Sequence, residues 1–272
     1  MEKGDPMDAQ ADPQSGVDEQ PETVGTVRTE IEGRVLVVRL EREHKRNAVD
    51  PELTAGIDAA LNRLEDDPEL WAGVITGTPS VFSAGTDLRA GMSGSERGGS
   101  YGVIRRHRLK PLVAAVEGPA LGGGFEIVLA CDLVVASTTA RFGLPEVQRS
   151  LVPTCAGMFR SARALPLNVA RELLLTGDPL DAERAERLGL VNRLTEPGRA
   201  LAEAVALADR ICRNGPVAVR ETLKVLDGLH AGPDAVGWEL TEAAEAVIRS
   251  SPDTIEGVEA FFERRDPRWT GR

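Results

Sequence analysis

Four short runs of apolar and β-branched residues constrain this chain more than any other feature: residues 35–40, 71–76, 112–116 and 133–136. Each has the length of a strand, and the gaps between successive runs are too long for a hairpin. Strands spaced in this way pair in parallel through crossover connections, which predicts an α/β core. The gaps supply crossovers. Asp50-Pro51 is an N-cap with proline at the first helical position, and Leu53, Ile57, Ala60, Leu61 and Leu64 then share one face, predicting a helix over 51–66. An apolar helix is expected over 122–130, and another over 101–108 after a loop at 81–95. Ahead of the first run, residues 26–31 and the turn at Glu32-Gly33 make a hairpin with it.

Beyond Pro145 the pattern becomes helical. Residues 167–175, 181–188, 201–212, 217–226, 235–248 and 254–262 carry helical periodicity, punctuated by Asp178-Pro179, Gly189, Gly215-Pro216 and Ser251-Pro252. An α/β half therefore precedes a helical half of similar size. No solenoid repeat is visible.

Charge excludes several function classes. The net charge is −11, which repels phosphate backbones and anionic membranes, so neither nucleic acid nor a membrane is an expected partner. Seven acids and one lysine fall within residues 1–23, a stretch with almost no large apolar residue, and a solvated tail is expected there. That stretch has no apolar segment of secretory type, and no run reaches membrane-spanning length; a soluble, cytoplasmic protein is expected. Cys131, Cys155 and Cys212 are scattered, as are His44, His107 and His230, so neither a disulfide framework nor a metal site is legible. The basic cluster Arg105-Arg106-His107-Arg108 with Lys110 reads as a solvated helix face or as a contact for an anionic ligand. Trp71 and Trp238 read as core or interface anchors, and Trp269 as a residue placed to pack on a neighbouring subunit.

Three stretches could carry chemistry. Val81-Phe82-Ser83-Ala84-Gly85-Thr86-Asp87-Leu88 follows a strand; its small residues allow close backbone approach to a ligand, or it is a plain strand-exit turn capped by Asp87. Pro119-Ala120-Leu121-Gly122-Gly123-Gly124-Phe125-Glu126 opens a helix with a row of N–H donors suited to an oxyanion. Ile127 replaces the third glycine of a dinucleotide fingerprint, so that reading is weak. Glu126 lies in an apolar stretch, where a carboxylate is costly unless paired or used; an exposed position or a salt bridge is the alternative. Arg141-Phe142-Gly143-Leu144-Pro145-Glu146 adds a second glutamate, either a helix-end charge or half of an acid–base pair with Glu126.

In this order and spacing the three stretches resemble the enoyl-CoA hydratase/isomerase (crotonase) superfamily. Also matching are Lys45-Arg46-Asn47-Ala48, Leu174-Leu175-Thr176-Gly177-Asp178, Ala185 with Leu188-Gly189-Leu190-Val191, and Ser251-Pro252-Asp253 through Glu256-Gly257 to Phe262, Arg264 and Arg265. The resemblance covers roughly residues 26–270. It implies a crotonase-like (ClpP/crotonase) spiral of ββα units over 25–195, a helical C-terminal trimerisation region over 196–272, and a disordered acidic tail over 1–24. It implies an acyl-CoA substrate, a homotrimer or a hexamer built as a dimer of trimers, and no cofactor beyond the coenzyme A carried by the substrate. The backbone N–H groups of Thr86 and Gly123 would form the oxyanion hole, Glu126 and Glu146 the acid–base pair. Lys45, Arg46, Ala48, Ala84, Asp87, Leu88 and Arg89 would contact coenzyme A.

The implied reaction is hydration of a trans-2-enoyl-CoA to a 3-hydroxyacyl-CoA, or its reverse. Double-bond isomerisation, which needs one glutamate, and acyl-CoA binding without turnover are the alternatives. The chain departs from the family after Glu146, where Pro153-Thr154-Cys155-Ala156-Gly157-Met158 replaces a more glycine-rich loop. That change bears on the acyl pocket and on the orientation of Glu146. Cys155 reads as a small packed residue, since no base is assignable to it.

Overall fold

The computed structural model describes residues 22–271, which open with an antiparallel ribbon of β1 (Glu22–Val24), β2 (Val27–Glu32) and β3 (Val35–Leu40). Glu22–Val24 thus belongs to the sheet, although the acidic tail was expected to run to residue 24. The three residues pair antiparallel with Val27–Thr29 as the edge strand of the sheet, which satisfies the backbone groups that face β2. Residues 1–21, the rest of that expected tail, lie outside the described residues.

β3 is covered on both faces. Val35 and Val37 enter one apolar cluster, while Leu36, Val38 and Leu40 enter another, as the interior strand of a layered α/β sheet requires. The Asp50 carboxylate caps α1 (Pro51–Asp66) by accepting from Leu53 N, and Leu53, Ile57, Leu61 and Leu64 are buried under the sheet. Next come β4 (Ala72–Thr76), a small ribbon of β5 (Gly94–Ser95) and β6 (Gly99–Ser100), β7 (Leu112–Val116), β8 (Pro119–Leu121) and α2 (Gly123–Leu129). β9 (Leu133–Ser137) and β10 (Arg141–Gly143) lead into a 3-10 turn at Pro145–Arg149, then α3 (Gly157–Ala164) and α4 (Leu167–Thr176). The second half adds β11 (Leu180–Asp181), α5 (Ala182–Arg187), β12 (Arg193–Thr195), α6 (Ala200–Cys212), α7 (Pro216–Gly228), α8 (Ala231–Ser250) and α9 (Pro252–Glu263).

The main sheet runs β1-β2-β3-β4-β7-β9-β12 and is parallel from β3 onward. After β3, β4, β7 and β9 the chain turns into a second layer. There Val49 pairs with Thr86, Ser83 with Ala120, β8 with β10, and β10 with β11. Sheet strand, second-layer strand and helix recur, which is a ββα spiral. α6 closes the outer face of the main sheet, burying Ala204 and Ala208 against Val35, Val37, Val74, Val113 and Val135. Its first turn is tied to the sheet by Glu117, which accepts from Ala200 N at 3.0 Å.

Two sequence expectations require correction. Residues 101–105 are turns and 106–108 irregular chain, not a helix: Tyr101 is left-handed (φ 55°), and Gly102 (φ 75°) packs on the α1 backbone at Thr54 and Asp58. The basic cluster there is mostly interior. Arg106 pairs with Asp58, Arg108 holds Asp132 with two bonds of 2.6 and 2.8 Å, and Lys110 Nζ donates to the Leu64 and Asp67 carbonyls. Only Arg105, His107 and Leu109 of this segment are exposed, so it is neither a solvated face nor an anion contact in the cleft described below. Among the described residues no helix is long and apolar enough to cross a membrane.

Candidate active site

The second layer brings the three chemistry-bearing stretches together because Ser83, Ala120 and Phe142 stand on adjacent rungs. They border a cleft of about 640 Å³. Its lining includes Lys45, Arg46, Ala48, Ala84, Thr86, Asp87, Leu88 and Arg89, together with Glu126 and Glu146. Every residue expected to touch the ligand through its side chain is therefore at one place. Gly123 is buried just beneath, its neighbour Gly122 forming the wall.

Two free N–H groups follow from the backbone pairing. The parallel bridge between Val49 and Thr86 is made by Val49 N to Gly85 O and Asp87 N to Val49 O, so it leaves the Thr86 N–H unused. Gly123 is the first residue of α2, where the helix offers no acceptor for its N–H. Glycine is required on both sides of this approach. A Cβ on Gly85 would stand 2.9 Å from Gly123 N, and Gly122 adopts φ 54°, ψ −127°, a region essentially closed to other residues. The strand-exit loop is held by a buried clamp: Asn47 Nδ2 donates to the Val81 and Phe82 carbonyls, and Ser83 Oγ donates to Asn47 O at 2.7 Å.

Glu126 is 2% exposed, and its Oε1 accepts from Cys155 N at 2.7 Å and Gly157 N at 2.9 Å. Burial pushes its pKa up to about 7, opposed by those two backbone donors and by the Arg160 charge. Glu146 sits in the 3-10 turn with Oε1 over Gly122, while its buried Oε2 has no partner among the described residues. Burial, followed by the Glu126 charge, pushes Glu146 to about 8. The carboxylate with two donors from the facing loop is thus the one suited to ionisation; Glu146, with only its own backbone N–H and the Arg149 charge to lower its pKa and one oxygen unpartnered, is suited to keeping its proton.

Arg42, Tyr101, Arg149 and Phe261 were not among the residues expected at the site. Arg42 bridges Asp50 and Asp87, 3.0 Å from each, and donates to Ala48 O, fixing the cleft wall. Asp87 is thereby engaged by the protein: burial raises its pKa, but Arg42 and the Arg89 and Ala90 N–H groups prevail and hold it low. Tyr101 places its hydroxyl 2.6 Å from Thr86 Oγ1. α9 brings Phe261 and Phe262 to the cleft, stacked by Arg149 and Arg89. Among the described residues no cluster of His, Cys, Asp or Glu is arranged to hold a metal.

The family model for enoyl-CoA hydratase/isomerase matches residues 30–272. The chain belongs to that family. It is 39% identical to the mevalonyl-coenzyme A hydratase of Aspergillus fumigatus over 86% of this chain and 91% of that one. An enoyl-CoA hydratase of Mycobacterium tuberculosis is 36% identical, with 88% and 94% covered. The crystal structure of a carnitinyl-CoA hydratase from Mycobacterium avium superposes with TM-score 0.87 at 38% identity, covering 92% of this chain and all of that one. The ββα spiral is therefore the crotonase fold, as expected from the sequence, and the chain is an enoyl-CoA hydratase/isomerase family member across its main sheet and C-terminal helices.

Proposed function

We propose that this family member adds water across the double bond of a 2-enoyl-CoA thioester, or runs the reverse dehydration. The observation that carries the reading is a buried and a half-buried glutamate with different surroundings beside two unspent N–H groups. Glu126, ionised, takes a proton from water as the oxygen bonds to the β-carbon. The C=C electrons move toward the thioester, whose oxygen gains charge between the Thr86 and Gly123 N–H groups. Glu146 then gives its proton to the α-carbon, and proton exchange with solvent resets both acids. Lys45, Arg46 and Arg89 supply positive charge for the coenzyme A phosphates at the same cleft. Nothing in this chemistry calls for a further cofactor. The relatives' names, all of hydratases of CoA thioesters, support the reading.

The loop change at Pro153–Met158 fits turnover as well as binding, because its contribution to Glu126 is two backbone N–H groups. Exposed apolar side chains on the C-terminal helices, including Leu229, Leu240 and Val247, support assembly into a trimer or hexamer.

The test is loss of the conjugated enoyl-thioester absorbance, with product analysis. Glu126→Gln and Glu146→Gln are each expected to lower kcat at least about 100-fold. Wild-type rates in both variants, or a shifted enoyl product in place of a 3-hydroxyacyl one, overturn the proposal.

A further inference from the structure

The cleft carries hydroxyl groups that water addition leaves unused. Thr86, Tyr101 and Thr154 all line it. Thr86 Oγ1 and the Tyr101 hydroxyl are 2.6 Å apart and either can donate, so one O–H is spent between them and the other is left over. The other protein partner of the Tyr101 hydroxyl is the Cys155 thiol, a weak acceptor. Thr154 is no better supplied: its Oγ1 lies 3.8 Å from the Met92 sulfur and 4.0 Å from the Cys155 sulfur.

Tyr101 is also held firmly in place. It is 2% exposed and left-handed at φ 55°, a conformation that a non-glycine residue keeps only where packing enforces it. A Cβ on Gly123 would lie 2.6 Å from its hydroxyl, so the phenol oxygen sits against the same residue that offers the oxyanion donor. Whatever it meets on a substrate is within a few bonds of the thioester carbon. A bare hydrocarbon chain laid over these groups would bury hydroxyls without acceptors, and sites built to hydrogen-bond discriminate strongly against analogues that lack the partner group.

We propose that the cleft selects an enoyl-CoA whose acyl chain bears a hydrogen-bonding group such as a hydroxyl close to the double bond, read by Tyr101, Thr86 and Thr154. This rests on the hydration reading above and narrows its substrate class. The experiment compares kcat/KM for trans-crotonyl-CoA and its 4-hydroxy counterpart, two substrates differing by one oxygen, in wild type, Tyr101→Phe and Thr154→Val. Wild type is expected to favour the hydroxylated substrate by about tenfold or more, and the variants to bring that ratio toward one. The ratio is the readout because general damage to the site lowers both rates together. Preference for the plain substrate, or a ratio unchanged in both variants, overturns the selection. If wild type hydrates neither compound, the hydration reading itself falls and the selection with it.

Discussion

Glu126 and Glu146 differ in what meets one oxygen atom of each, and pH dependence follows from that difference. Glu126 must be ionised and Glu146 protonated, so kcat/KM is expected to fall below about pH 7 and again above about pH 8. A pH series of initial rates at low substrate checks it, and a flat profile across that window contradicts the role assignment. The raised acid also bears on stability. Glu146 retains its proton in the fold while the unfolded chain has lost it, so rising pH above the ordinary carboxylate range weakens the native state until about pH 8. Glu146→Gln, which cannot ionise, is expected to melt higher than wild type at alkaline pH, with the gap closing toward pH 5; thermal scans at both ends test this. Glu126 was legible in the sequence because a carboxylate among apolar residues stands out, whereas Glu146 read as a helix-end charge until it was set beside Glu126 and the family resemblance. Tyr101, Arg42 and the N–H groups of Cys155 and Gly157 were not. Their parts depend on a left-handed residue, on an ion pair spanning Arg42 to Asp87, and on backbone atoms that every residue type shares.

At the level of elements, the opening of α2 carries the most constraint. Gly122→Ala would force a side chain into φ 54°, ψ −127° and toward Glu146 Oε1, 3.1 Å from the new Cβ. A loss of about 1–3 kcal/mol in urea unfolding is expected, with a fall in kcat larger than the fall in stability explains. Strands and long helices were readable since their apolar periods are long: α1 begins and ends where its cap and stripe predicted. α3 was missed because GMFRSARA is short, with two arginines and only Met158 and Phe159 as large apolar residues, and it starts from the left-handed Ala156. Residues 101–108 misled for the opposite reason. Tyr101, Val103 and Ile104 are buried by turns folded against α1, and alternate charge and apolar character imitates a helix face.

For the whole molecule, the C-terminal helices leave Val225, Leu229, Leu240, Val247 and Ile255 each more than 60% exposed. So many exposed large apolar side chains on one region of the chain point to a covering partner. Light scattering is expected to give three or six times the 29.1 kDa chain mass, and Leu240→Glu with Val247→Glu to lower it. A single-chain mass for wild type contradicts the assembly. The layered core, by contrast, is complete within one chain, which is why its four strand runs could be read without knowing any partner.

Glu126 is fastened by the main chain of the 153–157 loop, which separates two kinds of evolutionary change. The side chain at 154, which lines the cleft, can drift, and with it the compounds admitted, while the proposed proton acceptor stays where it is. What the loop cannot accept is proline at 155 or 157, or any bulk at 157, where a Cβ would lie 2.8 Å from the Glu126 oxygen. Diversification and chemistry are thus written in different atoms of the same five residues.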